Sequence, residues 1–130
     1  MTKQKILSIL IYILSIEKTL QHLFTALFFI VSTPGIGTPD IGTNFQIDNN
    51  IMAILNLIYF AFFVFGIIGF LKKKKWAIKL IIVLALLDII LEFVYHHFFF
   101  ITISVIISTI LVIISYLYLK LFVKLKYTKL

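Results

Sequence analysis

Seven polar residues interrupt runs that are otherwise almost wholly apolar: Glu17, Lys18, Gln21, His22, Asn56, Asp88 and Glu92. Carboxylates, an ammonium and an imidazole in such surroundings can bind a polar ligand, hold a cation or move protons. An ionised group deep in a bilayer costs a few kcal/mol even on lenient scales, so such groups are expected to face a bundle interior and pair. Their spacing is helical. Asp88, Glu92 and His96 recur every fourth residue and share one stripe, as do Glu17 with Gln21 and Lys18 with His22.

Three carboxylates (Glu17, Asp88, Glu92) against one lysine (Lys18) would leave this layer at −2 if all were ionised. Such a layer must take up protons, bind a cation or reach water. The expected ligand-binding set is therefore Glu17, Lys18, Gln21, His22, Asn56, Asp88 and Glu92. A metal set of Glu17, His22, Asp88, Glu92 and His96 offers oxygen and imidazole donors for one divalent ion, the one cofactor these residues suggest. The paired Glu-x-x-His repeat of di-iron bundles and the His-Glu-x-x-His motif are both missing. Haem held between His22 and His96 is a further arrangement these residues allow. No catalytic residue is assigned, because no nucleophile motif is present.

The elements that must position these residues follow from composition. The chain has 130 residues, 62% hydrophobic, with a mean hydropathy of +1.16. A soluble domain needs far more polar surface. An all-α, integral membrane four-helix bundle, forming a single domain over residues 1–130, is the fold class expected. A bilayer core about 30 Å thick calls for about 20 residues per span. Four runs meet this, at residues 6–31, 51–71, 76–94 and 98–119. Ile, Val and Phe favour strands in water, but backbone groups in lipid must bond within their own segment.

Charge orients the bundle. All twelve basic residues are lysines, and the net charge is +7. With four spans in up-down-up-down order, every lysine except Lys18 falls on one side. These are Lys3 and Lys5, Lys72 to Lys75 with Lys79, and Lys120, Lys124, Lys126 and Lys129. The lysine-rich side is the cytoplasmic one, so both termini are cytoplasmic and the protein is a multi-pass protein of the cell membrane. The lysines read as topology signals with some attraction for anionic headgroups, and not as a nucleic-acid surface. Lys3, Lys5 and the run Ile6 to Ile16 resemble a signal peptide, but no small-residue cleavage site follows, so an uncleaved first span is expected. There is no cysteine, which excludes disulfides and thiolate metal sites.

A rise of about 1.5 Å per residue gives the depths. Glu17 and His22 lie about 16 and 24 Å above the inner end of span one, and Asp88 and Glu92 about 18 and 24 Å up span three. Asn56 lies about 8 Å below the outer surface, with Tyr59 one turn deeper. Ser104 and Ser108 enter the same outer half, where they read as small packing residues alongside Gly66 and Gly69 of span two. The outer loop, Ser32 to Asn50, holds Pro34, Pro39, Gly35, Gly37 and Gly42 and reads as a connector or as a lid.

The leading functional reading is a polar ligand- or cation-binding site in the outer half of the bundle. One alternative is an intramembrane enzyme acting on a lipid-like substrate by carboxylate and histidine acid–base chemistry. Another is a structural or regulatory subunit of a membrane complex, in which the polar layer sets packing. A transporter is disfavoured, because the inner half is too apolar to line an exit. The expected partners are the lipid bilayer, a small polar, cationic or lipid-like ligand, and a second copy of the chain.

Overall fold

A computed structural model describes residues 2–31, 49–95 and 102–128. The outer loop, the corner containing His96 and His97, and the expected start of span four at 98 lie outside them. Four helices make up the described chain: α1 (Lys3–Val31), α2 (Asn49–Leu71), α3 (Lys75–Tyr95) and α4 (Ile103–Thr128). Each is packed against the next, and α4 closes the ring against α1. The pairs α1/α3 and α2/α4 therefore face each other across the diagonals.

The helix limits agree with the apolar runs except in α4, expected at 98–119. It begins at Ile103, where the Thr102 hydroxyl accepts the Val105 amide at 3.2 Å, and it runs on to Thr128. Thr102 is an N-cap. At the other end Lys120 and Lys124 end the hydropathy without ending the helix, since cations suit a helix C-terminus.

Between α2 and α3 the chain turns within three residues. Lys73 N donates to Phe70 O at 2.9 Å and Lys74 N to Gly69 O at 3.0 Å. This is a Schellman ending with Lys73 in the left-handed position, φ 54°. A lysine there costs about 1 kcal/mol relative to glycine. The turn folds α3 back along α2. Gly66 then lies against Ile81, and Gly69 against Trp76 and Ala77. Contacts of Ser108 with Asp88 and Thr102 with Glu92 make α3 and α4 antiparallel too. Ile11 is fully buried in a core with Phe70, Ala77 and Tyr118, which places the α1 N-terminus at the α2–α3 turn. Lys3, Lys5, Lys72 to Lys75, Lys79, Lys120 and Lys124 thus gather at one end.

The burial pattern differs from that of a water-soluble bundle, with large apolar side chains outside and polar ones buried within a hydrophobic core. Ile13, Phe24, Phe65, Ile90, Ile103 and Ile113 are exposed on the outside, while Lys18, Ser15, Ser108 and Ser115 are fully buried. Helices α1, α2 (from Asn50) and α4 (to Lys124) are long and apolar enough to cross a membrane. Helix α3 carries Lys75, Lys79, Asp88 and Glu92 in 21 residues and is not among them.

Candidate functional site: a buried ion pair across the bundle diagonal

The buried face of α1 is Leu7, Ile11, Ser15, Lys18, Thr19, His22 and Ala26, at three- and four-residue spacing. It presents Lys18 and His22 one turn apart to the bundle axis. From the diagonal, α3 presents Asp88. Lys18 has no exposed surface, and Asp88 and His22 are 5% and 6% exposed. A lysine stem is long enough to join helices that are not neighbours in the ring, which a shorter cation could not do.

The ammonium of Lys18 donates to Asp88 Oδ2 at 2.7 Å, to Ser104 Oγ at 2.7 Å and to Gln21 Oε1 at 2.8 Å. An ammonium has three donors, and all three are used. Gln21 Nε2 donates to the same Ser104 Oγ at 2.9 Å. Asp88 Oδ2 also accepts from Ser108 Oγ at 2.6 Å. Three helices thus meet in one hydrogen-bonded cluster: α1 with Lys18 and Gln21, α3 with Asp88, and α4 with Ser104 and Ser108.

Helix α2 joins through His22. Its Nδ1 lies 2.9 Å from Asn56 Oδ1, and its ring stacks on Tyr59 at 4.8 Å and Phe63 at 5.8 Å between centroids. Asn56 Nδ2 donates to Met52 O at 2.9 Å, which fixes the amide orientation. The other ring nitrogen, Nε2, faces Asp88 Oδ1 at 3.4 Å without a well-formed hydrogen bond.

The structure therefore brings together Lys18, Gln21, His22, Asn56 and Asp88 of the seven expected ligand-binding residues. Glu17 and Glu92 stand apart. Glu17 lies one position, or about 100°, round the helix from Lys18. It is half-buried, and its Oε2 has no hydrogen-bond partner. Glu92 accepts a long contact from the Thr102 hydroxyl at 3.4 Å, one turn beyond Asp88. His22 hydrogen-bonds Asn56 and lies against Asp88.

The metal set is not assembled. Among the described residues no three of His, Asp and Glu come together as they would around a metal ion. Lys18 is the physical reason. Its ammonium already occupies the Asp88 carboxylate at 2.7 Å and would repel a second cation there. His96, the fifth member of that set, lies outside the described residues.

Ser104 and Ser108, which the sequence presents as small packing residues, are both members of the cluster. Their level in the outer half was the available signal, but serine is common at helix contacts and says nothing about facing a charge. Ser15 and Ser115 are the converse case, fully buried with hydroxyls that have no partner.

No protein-family model, curated protein or solved structure matches this chain.

Proposed function

We propose that the chain is a four-span membrane protein of structural or regulatory type, in which the Lys18–Asp88 cluster locks helix register. The observation that carries this is the saturation of Lys18: all three of its donors end on side chains of this chain. A site built to capture a cation or a polar molecule leaves charge free to meet it, and here the central charges meet each other. A buried polar group can select one register among several packings of apolar helices, at some cost in stability.

The apolar exterior and buried charge support the membrane setting. The tight α2–α3 turn supports a fourth crossing. If α2 spans, α3 must return alongside it, and its 21 residues reach about 32 Å. Lysines gathered at one end support a cytoplasmic placement of that end and of both termini.

The test is the pair itself. Lys18→Met and Asp88→Asn, each alone, are expected to lose about 3 kcal/mol of unfolding free energy in detergent micelles, because each leaves a buried charge without its partner. The double variant is expected to lose less than the sum, with a coupling of about 1–3 kcal/mol. The ligand-capture reading makes the opposite demand. An Asp88→Ala protein as stable as the parent, yet lacking a small molecule that co-purifies with the parent, would replace the lock with a binding site.

A further inference from the structure

We propose that the cluster holds one exchangeable proton between His22 Nε2 and Asp88 Oδ1, so that the lock has a protonated and a deprotonated state. The argument starts at Asn56. Its Nδ2 donates to Met52 O, so the atom facing His22 Nδ1 at 2.9 Å is the carbonyl oxygen, an acceptor. Turning the amide over would set two oxygens against each other at Met52. His22 Nδ1 must therefore carry a hydrogen.

With that hydrogen fixed, a neutral imidazole has only a lone pair at Nε2. Tyr59 and Phe63 stack against the ring and hold its plane, and turning it over would give up the Asn56 hydrogen bond. Nε2 points instead at a carboxylate oxygen 3.4 Å off, and two buried acceptors face each other. Asp88 Oδ2 is already engaged by Lys18 and Ser108, so Oδ1 is the oxygen whose lone pairs are still free to accept. One added proton removes the conflict. It bonds to the Nε2 lone pair or to Oδ1, and in either place it makes the N–H···O or O–H···N hydrogen bond the site lacks.

The surroundings are those of a proton site closed to bulk water. The charged and titratable groups packed about the ring are Lys18 of its own helix, Asp88 of α3 and Tyr59 of α2. Helix α4 brings the hydroxyls of Ser104 and Ser108. Glu17 neighbours Lys18 on α1, and Glu92 stands one turn beyond Asp88 on α3. Both members of the dyad are at least nine-tenths buried. Loading or unloading the proton from water therefore goes with a local opening of the packing about the dyad, which couples protonation to packing across the diagonal.

The test is nitrogen and carbon NMR on labelled protein in lipid bilayers, with His96→Gln and His97→Gln removing the other two imidazoles. Between about pH 5 and 8, where an imidazole ordinarily changes charge, His22 Nδ1 is expected to remain protonated throughout. Nε2 and the Asp88 carboxyl carbon are expected to report one shared proton, present over the whole range or lost from both signals at a single midpoint. Asn56→Leu, which leaves the Lys18–Asp88 pair intact, is expected to release the tautomer, so that signals of a bare and a protonated Nδ1 both appear. A bare Nδ1 in the parent would overturn the proposal. So would a bare Nε2 beside an ionised Asp88 across the whole range.

Discussion

A serine hydroxyl in this core has a value set entirely by what it faces. Ser108 donates to a carboxylate that also serves Lys18, and hydrogen bonds to charged groups contribute about 1.5–3 kcal/mol. Ser115 is as fully buried, and its hydroxyl has no partner. Ser108→Ala is therefore expected to destabilise the protein by about 2 kcal/mol, and Ser115→Ala to leave it unchanged or slightly more stable. Unfolding titrations of the two variants in the same detergent check this, and equal losses would contradict it. The sequence could not separate these serines. It did mark Lys18, His22, Asn56 and Asp88, because a charge or an amide inside an apolar run is conspicuous wherever it points. It marked Glu17 as well, whose Oε2 is buried without a hydrogen-bond partner about 100° round the helix from Lys18, and no count of polar residues by depth contains that rotation.

At the scale of the helices, α2 and α3 are held together by absence of side chain. A Cβ on Gly69 would sit 2.8 Å from the Ala77 Cβ and closer still to the Trp76 ring. The indole can swing aside, but Ala77 moves only if α3 moves. Alanine gains about 1 kcal/mol in helix propensity over glycine, and overpacking costs about 1–3. Gly69→Ala is expected to lose about 1 kcal/mol or more, with part recovered in Gly69→Ala/Ala77→Gly. At Gly66 the nearest atom is Ile81 Cγ1 at 3.2 Å, a contact that needs a shift of only a few tenths of an ångström, and alanine's helix propensity offsets its cost, so Gly66→Ala is expected to be close to neutral. Thermal unfolding of the three variants tests the contrast. The helices themselves were legible from hydropathy, as were the two glycines as sites of close approach. The end of α4 was not, because hydropathy falls at Lys120 while the backbone has no reason to stop there.

Taken as a whole, the molecule is ordered along its axis, with lysines at one end and the ion-pair cluster well away from them. The orientation this implies can be tested directly because the chain has no native cysteine. In intact cells, a membrane-impermeant thiol reagent is expected to label Thr38→Cys and to spare Lys74→Cys until the membrane is opened. The reverse pattern would invert the topology. The cluster also sets a problem of timing. Lys18 and Asp88 are 70 residues apart, so at about 5–20 residues per second the ribosome makes the anion about 4–14 seconds after the cation. On the membrane reading, Lys18 has no carboxylate on another helix to meet during that interval. On that reading, the arrival of the third helix is the step that lets the first one bury its lysine as an ion pair.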